Sequence, residues 1–408
     1  MERKIELLAP AGSLLKLKVA VTYGADAVYC GGKRFGLRTA SENFTAEDLK
    51  EGAQYCHERG VKLYVTLNTY PRSDEIKEMP DYIRTLSDCG VDAVIVSDLG
   101  VFDLVRKTAP SLSIHVSTQA NNVNYMSCSK WHELGADRVV LARELSLTEM
   151  KQIHELTPLG LELEAFVHGA MCVSYSGRCL MSNYLAGRDA NRGDCAQPCR
   201  WKYSVMEETR PGQYFPVYEN EQGTFIFNSK DLCLIRRIPE LVEAGIMSFK
   251  IEGRVKSEFY VATVVGAYRR AIDAYLSNPD KYTFKEEWYD EILKVSHREY
   301  YEGFADGLPQ NGQIQASSSY IRSYGIVAYV DGYDDDNRLI IASQRNKFYK
   351  GDKLEIMIPG GESIPLSADI IYNAEMKEID STPNANMRLF IPFDRRVPPM
   401  SMIRKRLD

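Results

Sequence analysis

The chain has no run of about 18 apolar residues, the length that a membrane-crossing helix needs. Its opening Met1-Glu2-Arg3-Lys4-Ile5-Glu6-Leu7-Leu8 carries charges where a secretory leader is apolar. Neither export nor membrane insertion is expected, and a cytoplasmic location is. His-Glu-x-x-His, Gly-x-Ser-x-Gly, the Gly-x4-Gly-Lys phosphate loop and the glycine-rich dinucleotide turn are all missing. Excess positive charge is missing as well. With 50 Lys and Arg against 56 Asp and Glu, the net charge of −6 argues against an overall basic nucleic-acid binder. No low-complexity tract interrupts the 408 residues, which at 44% hydrophobic and 26% charged read as a globular chain with room for one large and one small domain.

Cysteine is present and unevenly placed. Cys30, Cys56, Cys89 and Cys128 lie in apolar or helical surroundings and read as small buried hydrophobes. The other five fall between Cys172 and Cys233, spaced Cys172-x6-Cys179-x15-Cys195-x3-Cys199 and then Cys233. Their neighbours are Gly, Ser, Arg, Asp and Asn, so no periodic apolar face exists on which a sulfur would bury. A reducing compartment disfavours a disulfide framework. Zinc sites favour close ligand pairs, whereas the wider gaps here open a loop able to wrap an iron–sulfur cluster. Spacing alone leaves cluster, zinc and incidental thiols open. The same segment is a positive island: residues 178 to 202 hold Arg178, Arg188, Arg192, Arg200 and Lys202 against Asp189 and Asp194. The basic C-terminal run Arg404-Lys405-Arg406 reads as a solvated end.

Short Val-, Ile- and Tyr-rich runs alternate with segments of helical period, the signature of βα units on a parallel sheet. Strands are predicted at Ile5–Ala9, Ala27–Cys30, Lys62–Leu67, Ala93–Val96, Ser113–Ser117, Arg138–Leu141, Leu161–Val167 and Ser248–Ile251, the number of a (β/α)8 TIM-like barrel. Gly24-Ala25-Asp26, Gly90-Val91-Asp92 and Gly135-Ala136-Asp137 repeat one rhythm, a helix C-cap leading into a strand. Between the seventh and eighth strands lies a cysteine-bearing insertion of about 172–228, too long for a single-helix crossover. After Pro309 hairpin signals such as Asp331-Gly332 and Pro359-Gly360-Gly361 predict a small all-β barrel. The expected domains are 1–312, the barrel, and 318–408, the β-barrel domain.

In such a barrel the chemistry sits at the C-terminal strand ends. Polar residues there are Ser13, Asn68, Asp98, Gln119, Asn121, Arg143, Glu144, Glu164, His168, Lys250, Glu252 and Arg254, most of them read as scaffold. Glu164 and His168 lie on the strand leading to Cys172. Strand alternation puts Lys250, Glu252 and Arg254 on one face. Charges facing a barrel interior need a partner, either an anionic substrate or one another. Glu164, His168 and Glu252 are the candidate catalytic residues, and Lys250 and Arg254 the candidate anion holders. Arg178, Arg188, Arg192 and Arg200 are the candidate contacts of the positive island, with Tyr175, Tyr184 and Trp201 the aromatics of the same insertion.

The stretch Glu164-Ala165-Phe166-Val167-His168-Gly169-Ala170-Met171-Cys172, with Gly177-Arg178-Cys179-Leu180-Met181-Ser182, resembles the collagenase-like peptidase family U32. So do Leu8-Ala9-Pro10-Ala11-Gly12, Gly193-Asp194-Cys195-Ala196-Gln197-Pro198-Cys199-Arg200, Ser229-Lys230-Asp231-Leu232-Cys233 and Lys250-Ile251-Glu252-Gly253-Arg254. The C-terminal domain resembles that of the family's longer, tRNA-hydroxylation branch. The resemblance implies an enzyme of oxygen-independent hydroxylation, here prephenate-dependent conversion of the tRNA wobble uridine to 5-hydroxyuridine. Prephenate, or a similar small dianion, is then co-substrate and tRNA the partner. It also implies a 4Fe–4S cluster on Cys172, Cys179, Cys195 and Cys233, with Cys199 the alternative fourth ligand. Zinc or bare thiols are the alternatives after aerobic purification. A second copy or a paralogous subunit stays open as a partner. The competing readings are a collagenase-like peptidase and a non-catalytic RNA-binding protein with structural zinc.

Overall fold

The computed structural model describes residues 5–37, 42–172, 179–190, 193–201, 230–308 and 320–407, together with four two-residue strands between 205 and 224. Strands β1 (Glu6–Pro10), β2 (Ala27–Gly31), β3 (Lys62–Leu67), β4 (Ala93–Val96), β5 (Ser113–Val116), β6 (Arg138–Val140) and β7 (Glu162–Ala170) alternate with helices. These are α1 (Leu14–Thr22), α2 (Ala46–His57), α3 (Met79–Asp88), α4 (Leu99–Thr108), α5 (Tyr125–Glu133) and α6 (Leu147–Leu156). The insertion contributes α7 (Met181–Ala186) and the pairs β8 (Val205–Met206) with β9 (Tyr214–Phe215), and β10 (Glu219–Asn220) with β11 (Gly223–Thr224). Then come β12 (Asp231–Cys233), α8 (Ile238–Glu243), β13 (Ser248–Ile251), α9 (Glu258–Ser277), α10 (Glu286–Ile292) and β14 (Tyr300–Tyr301). Because β13 pairs in parallel with both β1 and β7, eight parallel strands close into the expected barrel.

Local chemistry explains the register. Helices α2 and α6 start in capping boxes, Thr45 with Asp48 and Ser146 with Glu149. Gly24, Gly90 and Gly135 hold φ of 103°, 80° and 104°, the left-handed conformation that ends the preceding helix. The aspartate of each repeat has a second task. Asp26, Asp92 and Asp137 accept the backbone N–H of Leu7, Leu63 and Ile114 at 2.8, 2.7 and 3.0 Å, tying each incoming strand to its neighbour. Apolar strand faces outside the barrel pack against the helices, and α9 is buried along most of its length. Cys30, Cys56, Cys89 and Cys128 are buried as expected.

Inside the barrel the side chains are mixed. Leu8, Ala27, Tyr29, Tyr64, Ala93 and Ile95 form an apolar layer. Beside it lies a charged layer around Arg138, which is 4% exposed. Arg138 binds Glu6 (2.5 and 3.2 Å), Glu162 (2.9 and 2.6 Å) and Glu164 (3.1 Å). Burial alone would push the Glu6 carboxyl up, but the bonds and charge of Arg138, with Tyr64 and Ser248, outweigh it and hold it below its ordinary value.

An antiparallel strand extends this wall: β12 pairs with the end of β7, Asp231 opposite Ala170 and Cys233 opposite His168, and β14 pairs with β12. Arg298 anchors it, donating to both carboxylate oxygens of the buried Asp231 at 2.7 to 3.1 Å.

The C-terminal domain is a six-stranded antiparallel half-barrel of β15 (Tyr324–Asp334), β16 (Leu339–Gln344), β17 (Lys353–Met357), β18 (Ile364–Ser367), β19 (Arg388–Pro392) and β20 (Met402–Arg406), in the order β18-β17-β20-β15-β16-β19. Two expectations are corrected here. Asp331-Gly332 is not the hairpin turn: the register of β15 against β16 shifts there as a bulge, and the turn follows Asp334, whose Oδ1 accepts the N–H groups of Asp336 and Asn337. Nor is the basic C-terminal run a solvated end. Arg404 lies in a central strand, fully buried, and binds Glu291 of α10 and Glu355 of β17. Run composition suggests a tail, but the alternation of β20 points Arg404 into the contact between domains. Tyr23 of α1 adds hydrogen bonds to the carbonyls of Met357 and Met400, both at 3.1 Å.

Candidate functional site

At the C-terminal ends of the strands a pocket opens into the barrel. Each wall comes from a strand or the turn after it: Tyr29 from β2, Thr66 from β3, Ser117 to Gln119 after β5, Arg143 after β6, Phe166 from β7, and Lys250, Glu252 and Arg254 from the end of β13. The alternation expected for the last three is realised, since all of them line this space.

Lys250 and Arg254 are each 4% exposed. The Lys250 amine lies 2.7 Å from Glu164 Oε1, 4.5 Å from the Tyr29 ring centre and 5.4 Å from that of Phe166. Burial pushes this amine below its ordinary value, while Glu164 pulls the other way. Arg254 donates from Nη1 to Thr66 Oγ1 at 3.2 Å. Arg143 donates to the carbonyl of Ala170 at 2.7 Å and stacks 4.0 Å over Phe166, while its buried Nε has no acceptor among the described residues. Lys250 is paired from below by Glu164, so Arg143 and Arg254 are the cations that this wall turns toward an anion, beside the carboxylate of Glu252. The turn that carries Glu252 is fixed by Tyr260, which donates to the Glu252 carbonyl at 2.9 Å, and by Tyr29, which donates to that of Ile251 at 3.0 Å.

Glu164 and His168, expected to be catalytic, are placed otherwise. Glu164 is fully buried beneath Lys250, and its oxygens accept from Lys250, Arg138 and Ser248, so it reaches the pocket only through Lys250. His168 does not line the pocket. A register shift at Lys250/Ile251 turns the end of β7, and the ring enters a cage of Tyr260, Tyr268 and Tyr300. Its Nε2 lies 3.2 Å from Tyr300 Oη and its Nδ1 3.5 Å from Tyr268 Oη. Burial lowers its pKa to about 3, so the ring stays neutral at physiological pH. Ser13 and Asp98 are helix N-caps, and Asn68 accepts the N–H of Leu37.

Cys172 is exposed, Cys179, Cys195 and Cys199 are half-buried, and none of the cysteines forms a disulfide. The N–H of Gln197 points at the Cys195 sulfur, 3.4 Å away. Cys233 is buried, its sulfur 4.0 Å from Tyr268 Oη, and burial pushes its thiol up to about 11. Among the described residues no three His, Cys, Asp or Glu side chains converge as a metal site. Arg188 pairs with Asp194 at 2.5 Å on the surface. Tyr175, Arg178 and Arg192 and the side chains of Tyr184 and Arg200 lie outside the described residues.

Sequence reasoning missed Tyr29, Thr66 and Phe166 because within the strands it weighed only charged side chains. It also missed Arg138. An arginine opening a strand looks solvated, and only the three carboxylates on β1 and β7 reveal its place.

A substitution at Gly31 isolates the cationic wall. A Cβ there would stand 2.3 Å from Arg254 Nη1, the far end of a flexible side chain. Gly31→Ala is expected to change stability by roughly 1 kcal/mol or less while displacing the guanidinium and weakening anion binding. Thermal melting beside calorimetric titration with prephenate checks both halves.

Two family descriptions match the chain: Peptidase family U32 over residues 12–315 and Peptidase family U32 C-terminal domain over residues 322–404. The tRNA hydroxylation protein P1 of Bacillus subtilis is 40% identical, the match covering 99% of this chain and 95% of that protein. The tRNA hydroxylation protein P of Escherichia coli is 35% identical over 95% of this chain and 94% of its own length. The 23S rRNA 5-hydroxycytidine C2501 synthase of Escherichia coli is 38% identical over 66% of this chain and 40% of that protein.

Proposed function

We propose that this chain, which belongs to peptidase family U32, is an enzyme of tRNA modification that takes part in hydroxylating the wobble uridine to 5-hydroxyuridine, with prephenate as co-substrate and without molecular oxygen. The observation that carries this reading is the pocket in which Arg143 and Arg254 stand beside Glu252, with Lys250 held against Glu164, in a chain that matches tRNA hydroxylation proteins along nearly its whole length. A small dianion suits that wall, with Arg254 presenting a planar fork to a carboxylate. The tRNA lies across the mouth, where the insertion meets the barrel. Arg178, Arg188, Arg192 and Arg200 are its proposed phosphate contacts, and Tyr175 its proposed stacking platform.

A 4Fe–4S cluster belongs to this proposal. The donor chemistry fits, since soft thiolates are what such clusters take. Its proposed ligands are Cys172, Cys179 and Cys195, with Cys233 or Cys199 as the fourth. Because the described thiols are not gathered, no geometry is assigned to the group. When bound it supplies one-electron transfer. This chain's own residues hold the dianion, keep water out through Tyr29 and Phe166, and fix the Lys250 amine against Glu164. No serine–histidine or cysteine–histidine pair lines the pocket among the described residues, so nothing there favours peptide cleavage.

The test is anaerobic purification followed by incubation with prephenate and unmodified tRNA, read by nucleoside mass spectrometry and by iron content. The expected outcome is 5-hydroxyuridine that depends on prephenate, with about four irons per chain, both lost in Cys195→Ser. Unmodified uridine in the presence of bound prephenate overturns the reading.

A further inference from the structure

The pocket contains a lysine that simple anion binding does not account for. The Lys250 ammonium already faces Glu164 at 2.7 Å, so most of its charge is neutralised from below and little remains to attract a substrate. A buried amine at a pocket wall, flanked by aromatic faces and a carboxylate, is instead the setting of a nucleophilic lysine. We propose that Lys250 captures its substrate covalently, as a Schiff base with the ketone of a 2-oxo acid. This inference rests on the reading above, because prephenate carries a pyruvyl side chain and is such an acid.

Four placements support it. Glu164 Oε1 faces Nζ, and Oε2 is held by Arg138 (3.1 Å) and Ser248 (3.0 Å), so the carboxylate is aimed at the amine. Tyr29 and Phe166 present their faces within 5.4 Å of Nζ, which stabilises a cation at that nitrogen and keeps the site dry. Arg143 and Arg254 line the same space and supply the donors that a 2-oxo acid's carboxylate requires. Finally, burial that lowers the amine's proton affinity raises its share of free base, the nucleophilic form.

The step balances without any oxidant or reductant. The ammonium passes one proton to Glu164, and the nitrogen lone pair adds to the carbonyl carbon as the C=O π pair moves to oxygen. That oxygen takes up two protons through the nitrogen, one the nitrogen already carries and one that Glu164 returns to it. The C–O bond then breaks, water leaves, and a C=N iminium remains with the single positive charge the ammonium had. Glu164, again a carboxylate, faces it. Here Glu164 is a positioning and proton-holding residue, and Lys250 alone bonds to substrate.

Full-length protein is incubated with pyruvate, phenylpyruvate or prephenate in cyanoborohydride, which reduces an iminium to a stable secondary amine, and its peptides are mapped by mass spectrometry. The expected result is a 2-oxo-acid-dependent adduct on Lys250, absent with lactate and absent from Lys250→Arg. Mapping in the wild-type chain keeps the test decisive even where the variant folds poorly. Adducts spread evenly over surface lysines, or none on Lys250 in protein whose melting temperature prephenate raises, overturn the proposal. Hydroxylation of tRNA without an adduct overturns it and leaves the reading above standing. An adduct without tRNA hydroxylation supports Lys250 as the nucleophile and removes that reading.

Discussion

Arg254→Ala is expected to weaken prephenate binding on the order of 10²-fold and to lower wobble-uridine hydroxylation at least as much, with the fold retained. Hydrogen bonds to a charged partner are worth about 1.5–3 kcal/mol each, and each 1.4 kcal/mol is about tenfold in affinity. A guanidinium fork that makes two such bonds to one carboxylate therefore accounts for a loss of this size. One side-chain bond of Arg254 runs to Thr66 Oγ1, a hydroxyl that keeps acceptor and donor capacity when the arginine is gone. Arg254→Lys is expected to recover only part of the loss, because an ammonium supplies charge without the planar pair of donors. Isothermal titration with prephenate and nucleoside mass spectrometry read the two effects separately. A variant that binds and hydroxylates within a few-fold of wild type refutes the anion-holding role.

The second large effect is on stability. Arg138→Met is expected to cost about 3–5 kcal/mol, the range found when one partner of a buried ion pair is removed. The loss arises because Glu164 remains fully buried, Glu6 remains largely enclosed, and both lose the guanidinium that solvates them. The pH dependence has a definite sign. In the folded state the Glu6 carboxyl is held below its ordinary value, so its contribution is present above the unfolded carboxylate range and fades as pH falls through the folded value. Wild-type protein should therefore lose denaturant resistance on acidification, whereas the variant, already without that stabilisation, should change less. Urea midpoints measured from neutral to acidic pH test this. A loss below about 1 kcal/mol at neutral pH would mean that Arg138 behaves as a surface residue.

The barrel was legible because its strands are short, mostly buried and largely apolar, and because glycine and aspartate mark three of the helix-to-strand junctions. The last-strand charges were legible too, since Lys250, Glu252 and Arg254 all enter one space, although the strand itself ends at Ile251. What alternation cannot see is a break in itself. The register shift at Lys250/Ile251 sends His168 into a tyrosine cage although it lies an even number of residues from Phe166 and Glu164. Partners far apart in sequence were equally hidden: Arg298 lies 67 residues from Asp231, and Arg404 lies 113 from Glu291. No local pattern announces such pairs, and a basic residue near the end of a chain looks solvated until its strand is known to be central.

Strand β7 leaves the barrel at Ala170, and the chain returns at Asp231, directly opposite on the same rung. Everything from 171 to 230 therefore begins and ends at one point of the wall, with Arg298 fastening the return strand from the far side. Because the two ends of this segment meet on one rung, its length adds little to the cost of closing the chain, and the cysteine-bearing part and the cationic pocket are carried by separate stretches of chain.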